Sequence, residues 1–153
     1  MALLEFEIVP MKEQHIPGVL ETEQVSFPTP WSEASFLGEL RDNDLAYYYV
    51  CTYQGRVVGY SGMWIIFDEA HITNIAVHSD FRGQKIGRAL LTNLFTEAMR
   101  LGAERITLEV RISNTIARKL YQSMGFAPVG IRKGYYSDTK EDALIMWKDL
   151  FNL

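Results

Sequence analysis

A single cysteine, Cys51, is the only thiol in this chain. One thiol closes no internal disulfide, so a secreted cross-linked scaffold is excluded and a reducing compartment suits the protein. Positive charge is also short: 15 Lys and Arg against 19 Asp and Glu leave a formal charge of −4. Proteins that coat nucleic acid or an anionic membrane rely on a broad basic face, so neither nucleic acid nor membrane is expected as a partner. No segment approaches the ~20 apolar residues of a membrane span, and Met1-Ala2-Leu3-Leu4-Glu5 has neither the basic leader nor the apolar length of a signal peptide. A cytoplasmic location is expected. Repeats, low-complexity tracts and linkers rich in Pro, Gly or Ser are missing too, while 48% hydrophobic and 22% charged residues are ordinary globular values. At 153 residues the chain is predicted to form one domain over 1–153, with roughly 70% of its unfolded surface buried. His15, His71 and His78 have no paired ligand spacing and no Cys or Asp partner set, so no metal site is predicted.

Residues 5–10 alternate as a short edge strand, and Pro17 suits the first turn of a helix running to about Ser26. Phe27-Pro28-Thr29-Pro30-Trp31 then forces an extended loop, after which Ser32 caps a second short helix through Arg41. Segments 45–53 and 56–67 about the Gln54-Gly55 turn read as a hairpin, with Cys51 as a small buried side chain, and 71–77 reads as a third strand. Ile86, Leu90, Leu94 and Ala98, with Leu91, Phe95 and Met99 beside them, keep the helical period until Gly102. Residues 105–110 form a strand, Asn114 caps a helix through Met124, Gly125 ends it, and strands at 126–133 and 143–148 finish the chain. The predicted class is α/β in the α+β sense, a mixed and largely antiparallel sheet of about seven strands covered by about four helices.

Between the third strand and the central helix stands Phe81-Arg82-Gly83-Gln84-Lys85-Ile86-Gly87. The first amides of a helix have no intrahelical acceptor and sit at the positive end of its dipole, so a pyrophosphate placed there is held by backbone N–H groups. Arg82, Lys85 and Arg88 add positive charge, and Gly83 and Gly87 keep side-chain bulk away. The spacing is neither that of a nucleoside-triphosphate loop nor that of a dinucleotide fold. Taken alone, a two-glycine turn from strand to helix is more often a plain connection than a ligand site.

Its company changes that reading. Arg82 to Gly87, Leu108-Glu109-Val110-Arg111, Ser113-Asn114, and Ala117-x-x-Leu120-Tyr121-x-x-x-Gly125-Phe126 together resemble, in order and across nearly the whole chain, the GNAT superfamily of acyl-CoA-dependent N-acetyltransferases. Phe27 to Trp31 and Lys133-Gly134-Tyr135-Tyr136 followed by Glu141-Asp142-Ala143 are similar to its RimI type, the bacterial ribosomal-protein alanine N-acetyltransferases. The resemblance implies acetyl-CoA as co-substrate, with its pantetheine arm on the amides of Ile75, Ala76 and Val77. It also implies that the pyrophosphate lies on residues 83–88, Gly83, Gln84, Lys85, Ile86, Gly87 and Arg88, with Arg82 and Asn114 nearby. Glycine is usual where this chain has Lys85, and a lysine does not easily take a positive φ, so the loop geometry stays open at this position.

Glu109 and Tyr121 match the positions to which the resemblance assigns the general base and the general acid. Outside this context, a solvated strand carboxylate and a packing tyrosine are the ordinary readings. An α-amine titrates near ~8 and a lysine amine near ~10.4, so an amino terminus is already partly neutral and a modest base working through water suffices. Tyr121 is predicted to protonate the departing thiolate, and the amide of Ala76 or Val77 to serve as an oxyanion donor. Phe27, Trp31, Tyr135 and Tyr136 come from the loops that the resemblance places around the acceptor. The favoured acceptor is a protein or peptide amino terminus, that of a ribosomal protein. Protein lysines or a small amine are the alternative within the enzyme class, and a non-catalytic acyl-CoA-binding module is the alternative outside it. Oligomeric state stays open.

Overall fold

The computed structural model describes residues 5–27 and 30–151. Residues 1–4 of the leader reading, and residues 28 and 29 of the predicted extended loop, lie outside the described residues. The chain runs through β1 (Phe6–Pro10), α1 (Ile16–Ser26), α2 (Glu33–Asp42), β2 (Ala46–Tyr53), β3 (Arg56–Ile66) and β4 (Glu69–Val77). It continues through α3 (Ile86–Arg100), β5 (Arg105–Arg111), α4 (Thr115–Ser123), β6 (Ala127–Arg132) and β7 (Ala143–Asp149). All seven strands join one sheet in the order β1-β2-β3-β4-β5-β7-β6, antiparallel except where β4 meets β5. This is the predicted architecture, and most boundaries fall within a residue or two of the expected ones.

Local chemistry accounts for the elements. Ser32 accepts from the Ser35 amide and Asn114 from the Ala117 amide, the expected caps of α2 and α4. Gly102 (φ 94) and Gly125 (φ 99) take the left-handed conformation that ends α3 and follows α4. Along β2 the residues alternate between cores: Tyr48 and Val50 join Val19 of α1 and Phe36 of α2, whereas Tyr49 and Cys51 face the clusters built on α3. The sheet therefore carries helices on both faces. Gly62 allows a close crossing, because a Cβ there would stand 2.1 Å from the Tyr48 ring.

The feature that makes a site is a failure of pairing. β4 and β5 run parallel, but only Glu69, Ala70 and His71 register with Arg105, Ile106 and Thr107. On its other side β4 carries a bulge at Thr73, since Gly62 pairs with Asn74 while Met63 pairs with Ile72. β5 meanwhile stays paired to β7 as far as Arg111. Beyond His71 the two strands part and leave an opening in the middle of the sheet.

Candidate active site

The opening is a cavity of about 640 Å³. β4 contributes residues 72–75, β5 residues 108–111, the end of α1 and the loop after it Glu23, Phe27 and Trp31, and α4 with its cap Asn114, Ala117 and Tyr121. Tyr136 closes one side. Predicted site residues from five separate segments thus meet here: Phe27, Trp31, Ile75, Glu109, Asn114, Tyr121 and Tyr136. Tyr135 does not line the cavity, against expectation. It is half exposed and stacks edge-on against Tyr136 at 5.1 Å, so the adjacent tyrosines divide into a wall and a brace.

Tyr121 is the one buried residue of α4, while Ala117 and Leu120 are only partly covered. Its ring packs edge-on against Phe126 at 5.8 Å. Burial first, and the neighbouring Tyr136 second, push its phenol well above the ordinary range, so it keeps its proton at neutral pH. Burial likewise pushes Tyr136 up to about 12. Glu109 is a quarter exposed and accepts from Arg132 Nε at 3.3 Å.

Sequence reasoning missed Glu23. It is 1% exposed, its Oε2 accepts from the Trp31 amide at 2.6 Å, and its Oε1 accepts from the Tyr60 hydroxyl. Burial raises its pKa, the bonds from Tyr60 and Trp31 pulling the other way. The clue in the sequence was spacing: Ile16, Val19 and Glu23 fall at i, i+3 and i+7, which puts a carboxylate on the apolar stripe of α1.

Backbone direction corrects one expected contact. The His78 amide donates to Val58 on β3 at 2.8 Å, and amides alternate sides along a strand, so that of Ala76 also turns to β3. The amides of Ile75 and Val77 face the gap, which removes Ala76 from the predicted donors. Residues 82–88 lie outside the cavity lining and lead, after a 3-10 turn at Ser79–Phe81, into α3, where Ile86 and Leu90 pack with Ile75 and Val77.

This loop fits a diphosphate. The first helical bond of α3 runs from the Ala89 amide to Lys85 at 3.1 Å, and no side chain caps the helix, so the amides of Ile86, Gly87 and Arg88 have no helical acceptor. A Cβ at Gly83 (φ +81) would meet nothing within 4 Å, which leaves the approach open. Arg82 Nε donates to Val77 O at 3.3 Å, and Arg88 Nη2 to Ser123 Oγ at 2.9 Å, so the two guanidinium groups bracket the turn. Lys85 answers the question its sequence left open: it takes φ 64 and ψ 20, the left-handed conformation that glycine would adopt. The loop accepts a strain of roughly 1–2 kcal/mol there. Among the described residues, no group of three or more His, Cys, Asp or Glu is placed to share a metal ion.

A sheet opened between two parallel strands, with an uncapped helix start beside it and a carboxylate and a protonated phenol within it, is the framework of an acyl-CoA N-acetyltransferase. The chain belongs to the acetyltransferase (GNAT) family, whose model matches residues 16–126. It is 45% identical over 137 residues to a Bacillus subtilis protein provisionally named a ribosomal protein bS18 alanine N-acetyltransferase, covering 90% of this chain and 91% of that one. It is 38% identical over 133 residues to the Escherichia coli ribosomal protein bS18 alanine N-acetyltransferase, covering 86% and 88%. The crystal structure of the Escherichia coli ribosomal-protein-S18-alanine N-acetyltransferase superposes with a TM-score of 0.86 at 34% identity, over 95% of this chain and 94% of that one. GNAT acetyltransferases take their acetyl group from acetyl-CoA. No helix among the described residues is long and apolar enough to cross a membrane.

Proposed function

We propose that this chain, as a single domain over residues 1–153, acetylates the α-amine of a protein amino terminus in the cytoplasm, with the alanine terminus of a small-subunit ribosomal protein as acceptor. The observation that carries this reading is the convergence of Glu23, Glu109 and Tyr121 on one cavity walled by Phe27, Trp31 and Tyr136. The names of the Bacillus subtilis and Escherichia coli relatives support the choice of acceptor. The amides of Ile86, Gly87 and Arg88, with Arg82, Lys85 and Arg88 around them, would hold the diphosphate of acetyl-CoA, and the amides of Ile75 and Val77 its pantetheine arm. Bound there, acetyl-CoA supplies the acetyl group as an activated thioester.

The residues of the chain divide the remaining work. Glu23, a carboxylate buried against Trp31 and Tyr60, offers an arriving α-ammonium the counter-charge that its burial otherwise lacks. Glu109 receives the proton lost by the amine, through water, as the new C–N bond forms. Tyr121, a neutral phenol within the cavity, donates its hydroxyl proton to the leaving sulfur. The Val77 amide, directed into the gap, is placed to donate to the developing oxyanion. Phe27, Trp31 and Tyr136 wall the acceptor side of the cavity. Incubation with acetyl-CoA and two peptides, one with a free alanine terminus and one with a blocked terminus and a lysine, tests the acceptor. Label is expected on the alanine terminus, and label confined to the lysine would overturn the reading.

A further inference from the structure

We propose that Arg111 is a positioning residue whose guanidinium clasps the loop between β6 and β7 and thereby sets Tyr136 as the acceptor-side wall of the cavity. The inference rests on the reading of this cavity as the acceptor site. Arg111 is the last residue of β5, two places after Glu109, so both side chains leave the same side of one strand. Its Nη2 donates to both Asp138 oxygens, at 2.8 and 3.1 Å, and its Nη1 donates to Thr139 Oγ1 at 3.1 Å. The Glu141 carboxylate lies 3.6 Å from Nη1, and the guanidinium carbon stands 4.0 Å from the centre of the Tyr136 ring. Side-chain exposures of 23% for Arg111, 17% for Asp138 and 23% for Glu141 set this cluster apart from ordinary surface ion pairs, which hold little.

The loop's other ties are turn bonds and contacts to the residues just after β5, among them Ile112 N donating to Asp142 O at 3.2 Å. Residues 133–142 pair with no strand, and Tyr135 is half exposed. What order the loop has is polar: Lys140 N donates to Tyr136 O at 2.7 Å, Gly134 N to Asp142 Oδ1 at 2.8 Å, and Ser113 N to Glu141 Oε2 at 2.7 Å. Arg111 is the side chain that binds this loop to β5 while also covering Tyr136, so it registers the cavity wall to Glu109. None of its contacts reaches Ile75, Val77 or residues 82–88, which lie on β4 and α3. Its effect therefore belongs to the acceptor and spares the acetyl donor.

Steady-state kinetics and hydrogen exchange on the full chain test the assignment. Arg111→Gln is expected to raise KM for the acceptor peptide about tenfold or more while KM for acetyl-CoA stays within about twofold, and to speed amide exchange across residues 134–142. Arg111→Lys, which keeps the charge but loses the planar stack and the multiple bonds, should fall between wild type and Arg111→Gln. Asp138→Asn should move the same parameters in the same direction with a milder effect on folding, and the double variant Arg111→Gln/Asp138→Asn should add nothing beyond Arg111→Gln. An unchanged acceptor KM, an equal rise in both KM values, or additive effects would overturn the role. Wild-type enzyme that labels no free terminus would count against the proposed function alone, because the exchange of residues 134–142 reads the clasp without any acceptor.

Discussion

Tyr121 and Glu23 are two buried protonation sites with opposite demands. In the proposed acid role Tyr121 carries a proton to the sulfur, and burial, by disfavouring the phenolate, keeps its hydroxyl neutral while making it a weaker acid. Tyr121→Phe removes the proton and keeps the packing on Phe126, so kcat is expected to fall by about 10²-fold with KM for acetyl-CoA unchanged, as read by steady-state assay. Glu23 has the opposite problem, since burial disfavours the carboxylate it uses against an ammonium. Its native pKa is raised, so the stability it contributes is full below the unfolded glutamate value of about 4.3 and is lost as pH rises through the raised native value. Glu23→Gln should therefore flatten that part of the pH–stability curve in thermal melts and leave the protein at least as stable as wild type at neutral pH. The same change should raise KM for an alanine-terminated peptide. Sequence reasoning reached Tyr121 and Glu109 through a resemblance, but passed over Glu23 because an acidic residue in a polar helical segment reads as solvated until the opposite wall, Tyr60 and Trp31, is in place.

The start of α3 is a different case, for here the proposed diphosphate site is a backbone arrangement confined to a few residues. Free amides, a short turn and flanking cations all lie within 82–88, so the turn itself was legible from the chain, while its reading as an anion site came from the motifs that accompany it. The exception at Lys85 is instructive: the left-handed turn needed by the loop prevails over the side chain's preference, at a modest cost in strain. Arg88 joins α3 to α4 through Ser123 and stands beside the proposed anion site. Arg88→Ala is expected to raise KM for acetyl-CoA about tenfold, the weight of one charge-assisted hydrogen bond of about 1.5 kcal/mol, with little change in kcat at saturating donor. A donor KM that stays put would place the diphosphate elsewhere. The β6–β7 loop follows another logic, because its position comes from partners far away in the chain, and nothing local to 133–142 separates the inward Tyr136 from the outward Tyr135.

Across the molecule, the cavity exists because the sheet is continuous on one side of the β4–β5 junction and open on the other. Continuity is maintained by close packing around β3, of which Gly62 is the tightest point. Gly62→Ala sets a methyl group against the Tyr48 ring, and an overpacking cost of about 1–3 kcal/mol is expected in urea denaturation. Tyr48 also reaches Glu39 at 2.8 Å and Thr73, the bulged residue of β4, at 2.9 Å, so the shifted ring should disturb the opening and lower activity along with stability. Strand and helix periods, caps, turn glycines and the turn into α3 were written in the chain itself, because each depends on neighbours within a few positions. The parting of β4 from β5, the aim of the Ile75 and Val77 amides, the burial of Glu23 and the grip of Arg111 on its loop were settled only by folding. Each depends on pairing register or on side chains tens of residues apart, and no local pattern encodes where such partners meet.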